Sequence, residues 1–168
     1  MGWSMVVFSV EAKAFASVIA EPLRLRELLE HEPGSAAARG FPRGACELEK
    51  TSEGIHFVLT GDAGDTAEPL GFLEYGGATV GNGSLGLGAA RAISPEQVKR
   101  IDAALRPITS EEFQRRLDPR ALLASWPYHD ESWDEASTRR YFGEAYAQLH
   151  QLVGEAAAAG DGLVLITI

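Results

Sequence analysis

Residues 49–61 read Glu-Lys-Thr-Ser-Glu-Gly-Ile-His-Phe-Val-Leu-Thr-Gly, and this stretch decides how we expect the chain to be organised. It is the one place where a histidine lies inside an apolar run that a loop of small and acidic residues follows directly. In a helix, Leu48, Ile55 and Val58 share a face with Leu59. Glu47 and Glu49 suit a first helical turn, and Gly61 supplies a C-terminal stop. We therefore predict an amphipathic helix here, with a short buried strand as the alternative.

The predicted helix places His56 beside its buried face but off the centre of that face. Two interpretations follow. A histidine at the rim of the core, bonded to a backbone carbonyl, is the commoner arrangement. A ring at the edge of a pocket is the functional one, because histidine titrates near neutral pH.

The same stretch begins a series of short motifs in a fixed order. They are Lys50, Gly54-Ile55-His56-Phe57, Leu59-Thr60-Gly61, Pro69-Leu70, Phe72-Leu73, Gly76-Gly77, Gly88, Ala90-Arg91, Ser94-Pro95-Glu96-Gln97-Val98, Asp118-Pro119 and Trp133-Asp134. In these residues the chain resembles the YfbM-like family, small bacterial proteins of unknown function, over nearly its whole length. The family usually has Trp where this chain has Ser52 and an aromatic residue where it has Leu87. The resemblance implies a fold and an altered pocket if those aromatics shape one, but no reaction.

Length and charge limit the possible classes of protein. The 168 residues predict a single domain over 1–168, and 45% hydrophobic residues are ordinary for a globular protein. The formal net charge is −9. Nucleic-acid and anionic-membrane binding need surplus Lys and Arg, so we predict neither partner. A basic protein partner fits this charge, and so does simple solubility.

Compartment follows from cysteine usage and from the absence of apolar segments. Cys46 is the only cysteine, so no disulfide within the chain is possible. We interpret it as structural or incidental. The sequence has neither a signal-peptide pattern nor an apolar window of membrane-spanning length. We expect a cytoplasmic protein.

The remaining elements predict an α+β fold, with a small mixed sheet that includes the N- and C-terminal strands and packs against several helices. Strands are predicted at Val6–Val10, near Ala78–Val80, near Ala89–Ile93 and at Leu163–Ile168. Asn82-Gly83 predicts a hairpin turn between the middle two. The last strand is nearly all apolar, so we place it centrally, beside the first. Helices are predicted after Ser9, Glu21, Ser94, Thr109 and Asp118, and over Asp134–Ala159.

Most catalytic and metal motifs are missing. The four histidines lie far apart in sequence, and the acidic loop that follows His129 is better explained by capping of the last helix. We predict no metal and no cofactor. Residues 81–86 match G-x-G-x-x-G, but no helix opens directly after them, so the match is accidental. A pair of catalytic carboxylates stays open, because spacing in sequence does not fix spacing in space.

The candidate site gathers residues near the end of the predicted helix and after the glycine-rich loop. Arg91 offers a planar fork for a carboxylate or phosphate, and His56 an acid or base. The structural alternative is that Arg91 forms an ion pair with Asp62 or Glu96. The full candidate set is His56, Thr60, Asp62, Arg91, Tyr128 and Trp133.

Two functions remain open. The first is a non-catalytic protein-binding or accessory domain, with an immunity-like role as one version. It would bind a basic partner through the loop that contains Tyr128, His129 and Trp133. The alternative is a small-molecule-binding enzyme, with hydrolysis as one version, that uses a cleft between His56 and Arg91.

Overall fold

The computed structural model describes residues 4–25, 43–81, 90–126 and 133–167. Within these ranges, five strands form one sheet in the order β2-β1-β5-β4-β3. The strands are β1 (Met5–Val10), β2 (Gly44–Glu49), β3 (Ala78–Val80), β4 (Ala90–Ile93) and β5 (Gly162–Thr167). The helices are α1 (Ala12–Ala20), α2 (Ser52–Thr60), α3 (Phe72–Tyr75), α4 (Pro95–Leu105), α5 (Ser110–Arg116), α6 (Pro119–Ser125) and α7 (Glu135–Ala159).

The predicted α+β class and the central position of the last strand are confirmed. β5 pairs with β1 on one side and with β4 on the other. Residues 162–166 are all buried, as expected of a strand with both faces covered. We predicted a mixed sheet. Every strand pair in the described ranges is antiparallel, so the observed sheet contains no parallel pair within these ranges.

The strand β2 corrects the prediction for the central segment. Cys46 and Leu48 are buried, whereas Ala45, Glu47 and Glu49 are exposed, which is the alternation of a strand with one buried face. These residues therefore pair with β1 and do not form the first turn of a helix. Two acidic residues suggested a helix start, but the period-two pattern was the stronger signal. The helix itself begins at Ser52 and ends, as predicted, at Gly61, which has a φ of 79°.

The later helix starts are confirmed by their caps. Ser94 forms a capping box with Gln97 at the start of α4. Thr109 and Asp118 accept backbone hydrogen bonds at the starts of α5 and α6. Asp134 caps α7. The predicted N-cap of α1 was wrong. Ser9 lies within β1, because the pairing of β1 with β5 continues to Val10.

Apolar residues form two cores on opposite faces of the sheet. Leu163 and Leu165 belong to the larger core, to which α2–α7 contribute. Val164 and Ile166 belong to the smaller one, together with Val18 of α1. Adjacent strand residues point to opposite faces, so the all-apolar sequence of β5 contributes to both cores.

Parts of two predicted elements fall outside the described ranges. β3 and β4 pair as predicted, with Thr79 opposite Arg91, but the Asn82-Gly83 turn itself is not among the described residues. Residues 23–25 are helical, and the rest of the helix predicted after Glu21 lies beyond them. No helix in the described part of the chain is both long and apolar enough to cross a bilayer.

Candidate functional site

The turn that connects β2 to α2 is held by side chains from distant parts of the chain. Glu49 has a φ of 47°, a conformation that costs free energy for a residue other than glycine. The Tyr141 hydroxyl donates a hydrogen bond to the Glu49 carboxylate. The indole Nε1 of Trp126 donates to the Lys50 carbonyl at 3.0 Å, and Thr51 Oγ1 donates to the Leu48 carbonyl at 2.6 Å. Hydrogen bonds from α7 and from the end of α6 therefore hold this turn.

This turn forms one wall of a cleft with a volume of about 290 Å³. The start of β1, the end of β5 and helix α3 complete it. The lining residues are Ser4, Met5, Lys50, Ser52, Glu53, Glu74 and Thr167. Because the lining is mostly polar and contains two carboxyl groups, we call it the acidic cleft.

Glu53 on α2 and Glu74 on α3 form an interacting pair of carboxyl groups. Burial raises the pKa of Glu53, and the negative charge of Glu74 raises it further. Burial also raises the pKa of Glu74, and this effect outweighs the positive charge of Arg91 and a hydrogen bond with Ser52, which act in the opposite direction. Oε1 of Glu74 is buried and has no hydrogen-bond partner among the described residues. Arg91 and Ser52 therefore offset only part of the cost of ionising Glu74, and Lys50 is the cation in the cleft lining itself.

This arrangement can bind a cation or exchange a proton. Charge-assisted hydrogen bonds to carboxylates are among the stronger polar contacts in proteins, so an ammonium or guanidinium group would satisfy the pair. Carboxyl groups with raised pKa values are also typical of acid–base sites. Within the described ranges, no group of three or more His, Cys, Asp or Glu residues is placed to hold a metal ion.

His56 does not line the acidic cleft. Its side chain is buried at 1% exposure, and the ring lies edge-on to Tyr75 with the ring centroids 5.6 Å apart. Neither ring nitrogen makes a well-formed hydrogen bond within the described part of the chain. Burial lowers the pKa of His56, although Asp65, Asp62 and nearby backbone carbonyls favour the protonated ring. The ring is more deeply buried than a histidine at the rim of the core, and the carbonyls of Ala63 and Asp62 are the backbone groups that act on it.

Arg91 acts on the backbone of α3. Its guanidinium donates hydrogen bonds to the carbonyls of Phe72 and Gly76, at 3.0 and 2.7 Å, and to the carbonyl of Leu73. The Phe72 carbonyl also accepts a hydrogen bond from the Gly76 amide at 3.1 Å, whereas the other two lie at the C-terminal end of the helix, where carbonyls lack helical partners. Burial lowers the pKa of Arg91, and Glu74 opposes that shift. The fork is thus occupied by carbonyl groups of the protein itself. That His56 and Arg91 share one pocket stays a prediction.

Thr60 and Asp62 form the turn that follows α2. Thr60 Oγ1 lies 2.8 Å from the His56 carbonyl and 2.7 Å from the Asp62 carbonyl, within donating distance of either. The Asp62 carboxylate accepts a hydrogen bond from the Gly64 amide at 2.9 Å. These contacts shape the loop, and neither residue lines the acidic cleft.

The aromatic residues of the predicted site do not contact the turn formed by Thr60 and Asp62 in any contact described for them. Trp133 is half-buried and packs edge-on against Trp126 and Tyr141, with centroid distances of 5.2 and 5.1 Å. It belongs to the packing that fixes the β2–α2 turn and is not an exposed anchor. Tyr128 and His129 lie outside the described residues.

Sequence reasoning missed the acidic cleft. Lys50 and Glu53 are exposed, as residues off the apolar face of the predicted helix should be, so nothing in the sequence distinguished their position at the cleft. Glu74 had one usable signal: it is the only charged residue in the apolar run Pro69–Tyr75. Ser52, where the YfbM-like family usually has Trp, does lie in the cleft lining.

Comparisons with known proteins agree on the fold. A family model described as "Domain of unknown function (DUF1877)" matches residues 1–166. Among solved structures, the chain is similar to YfbM, a protein of unknown function from Escherichia coli. The TM-score is 0.65 at 13% sequence identity, over 98% of this chain and 99% of that one. No curated protein matches the chain.

Proposed function

Because this chain belongs to the DUF1877 family, whose description gives no activity, we propose a function from its own geometry. It is a non-catalytic protein-binding domain whose acidic cleft receives a lysine or arginine side chain of a basic partner. The observation behind this proposal is the Glu53–Glu74 pair, two carboxyl groups in one cleft with raised pKa values.

An inserted cation would offset the cost of ionising this pair, which comes mainly from desolvation of the two carboxyl groups. While both carboxyl groups are ionised, their like charges repel each other, and partial desolvation further disfavours the ionised forms. Arg91 offsets only part of that cost, since the pKa of Glu74 stays raised beside it. A partner's ammonium or guanidinium would supply the missing charge, and it would offer donors to Oε1 of Glu74. The net charge of −9 would also steer a basic protein towards this one.

The fixed β2–α2 turn supports a binding role as well. A binding site gains affinity when its groups are held in place before the ligand arrives. Here Glu49 adopts a costly backbone conformation, and Tyr141 and Trp126 hold the turn that leads to Glu53. Strained backbone that surrounding structure maintains is frequent at functional sites.

The enzymatic alternative has less support. It needs His56 and Arg91 to meet a substrate together. The His56 ring is 1% exposed, and the Arg91 guanidinium already bonds three backbone carbonyls. Neither residue lines the acidic cleft.

Calorimetric titration with a hexa-arginine peptide tests the proposal. We expect wild-type protein to bind it, and the double variant Glu53→Gln/Glu74→Gln to bind about tenfold or more weakly, equivalent to about 1.4 kcal/mol. The matched control is Glu111→Gln/Glu144→Gln, which removes the same charge from exposed positions on α5 and α7. An equal loss of affinity in both double variants would mean that overall charge, not the acidic cleft, binds the peptide, and would contradict the proposal. No binding by the wild-type protein would also rule it out.

A further inference from the structure

The His56 ring is covered by a thin layer of polypeptide. Tyr75 lies against it from α3 and is itself 50% exposed. The other neighbours that act on the ring are Asp62, Ala63 and Asp65, in the loop after α2. The Tyr75 hydroxyl donates a long hydrogen bond, 3.4 Å, to the Ala63 carbonyl and so joins the two parts of the cover. We call residues 61–65 together with Tyr75 the His56 cover.

The loop part of this cover is held mainly by local contacts. Residues 61–64 are exposed. Their hydrogen bonds run within the turn, from the Gly64 amide to Asp62 Oδ1 and from the Asp65 amide to the Asp62 carbonyl. Segments with few buried apolar contacts and exposed hydrogen bonds open at low free-energy cost. The loop can therefore separate from α2 without unfolding the core.

A proton on His56 changes the balance between the closed and open cover. Both ring nitrogens are buried without a hydrogen bond of ordinary geometry, so a charge there loses its hydration, and the carbonyls of Ala63 and Asp62 replace only part of it. The charged groups that face the ring are Asp62 and Asp65 of the loop, and Tyr75 faces it from α3. Asp62 is exposed and Asp65 is half-exposed, so water and salt screen their attraction. The cost of burial is the larger effect, and opening relieves it.

We infer that the His56 cover is a proton-operated lid: protonation of the ring favours an open state in which residues 61–65 and Tyr75 move away and the imidazolium reaches water. Tyr75 follows Glu74 directly on the four-residue helix α3. Because Arg91 holds the backbone of α3, the movement at Tyr75 is one of its side chain, and it would reach the acidic cleft through the adjacent Glu74. That last consequence depends on the proposed function, whereas the opening itself does not.

Amide hydrogen exchange, corrected for intrinsic rates, measures the opening. In wild-type protein, we expect the protection of residues 61–65 to fall by about tenfold or more between about pH 7.5 and pH 5. In His56→Gln, which keeps all the carboxyl groups, it should change by less than about twofold. Unchanged protection in wild type, or an equal fall in the variant, overturns the inference.

A second measurement starts from wild-type protein and does not depend on the folding of His56→Gln. The titration of the His56 ring in wild-type protein, followed by NMR, should give a pKa below the usual value of about 6.5. Tyr75→Ala removes part of the cover and should move that pKa back towards the usual value. A wild-type pKa at or above about 6.5, or no change in Tyr75→Ala, overturns the inference. Hexa-arginine binding at the two pH values then tests the cleft separately, since the lid can open whether or not the cleft binds the peptide.

Discussion

Trp126 donates a hydrogen bond from its indole Nε1 to the backbone carbonyl of Lys50, 3.0 Å away and 76 residues earlier in the chain. The contact joins the end of α6 to the turn between β2 and α2. That turn contributes Lys50, Ser52 and Glu53 to the acidic cleft. A residue far from the cleft in sequence thus determines the geometry of its wall.

Replacement of Trp126 by Phe tests this relationship. The ring would still pack, but the hydrogen bond from Nε1 to the Lys50 carbonyl would be lost, so we expect the free energy of unfolding to fall by about 1 kcal/mol beyond the loss of ring volume. Trp133→Phe is the control, since it makes the same change in a ring that packs against Trp126. Urea unfolding gives both values. Equal losses in the two variants would mean that packing, not the hydrogen bond, secures the turn.

Gly54→Ala should destabilise the protein. A Cβ at this position would lie 2.2 Å from Cε1 of Phe142, so the aromatic ring must move. Overpacking of this kind costs about 1–3 kcal/mol. Gly64→Ala is the control, because its nearest neighbour would be Asp62 Oδ1 at 3.6 Å. Phe142→Leu should recover part of the loss in the double variant, and strictly additive urea midpoints would show that the two residues do not compete for space.

Arg91→Lys should also destabilise the protein although it keeps the charge. A lysine cannot reproduce the planar fork that donates to the carbonyls of Phe72, Leu73 and Gly76. We expect a loss of about 1.5–3 kcal/mol in the free energy of unfolding. Arg100→Lys, at an exposed position on α4, should stay within about 0.5 kcal/mol of wild type. An Arg91→Lys protein of wild-type stability would indicate that the three bonds do not hold α3.

The carboxyl pair gives a prediction for pH dependence. The folded-state pKa values of Glu53 and Glu74 are raised, so the folded protein binds these protons more tightly than the unfolded chain does. Their contribution to stability is greatest below the unfolded pKa and is lost as pH rises through the folded pKa. Glu53→Gln/Glu74→Gln should therefore be more stable than wild type at neutral pH and lose this advantage near about pH 4.5.

Thermal unfolding over that pH range is the measurement. Glu111→Gln/Glu144→Gln is again the control for net charge. If Glu53→Gln/Glu74→Gln is less stable than wild type at neutral pH, the two ionised carboxyl groups stabilise the folded protein, and the prediction is wrong.

Cys46 should be inert in the folded protein. It is 5% exposed on β2, and burial raises its pKa to about 12, so almost no thiolate exists at neutral pH. We expect no reaction with Ellman's reagent under native conditions and one thiol per chain after denaturation. Rapid native labelling would place the thiol at the surface instead.

The features that could be predicted from the sequence are those with local signals. Ser94-Pro95 with Gln97 specifies a helix start, because the capping groups lie within one turn of each other. The apolar run Leu163–Ile166 identifies a strand with both faces covered, and Asn82-Gly83 predicted the hairpin whose strands pair as expected. The local signal failed at residues 47–49, where acidic residues compatible with a helix start belong to a strand.

The site was decided by tertiary structure. Glu53 and Glu74 are 21 residues apart in sequence and lie on different helices, and nothing in either segment specifies that they share a cleft. Arg91 could be recognised as a cation from the sequence, but only the fold places the carbonyls of Phe72, Leu73 and Gly76 within its reach. His56 could be placed beside an apolar face, yet its burial depends on the loop and on Tyr75. Hydrogen bonding and apolar patterns within a few residues determined the helices and strands of this protein. The packing of distant segments determined which ionisable groups are buried, and burial is what shifts their pKa values.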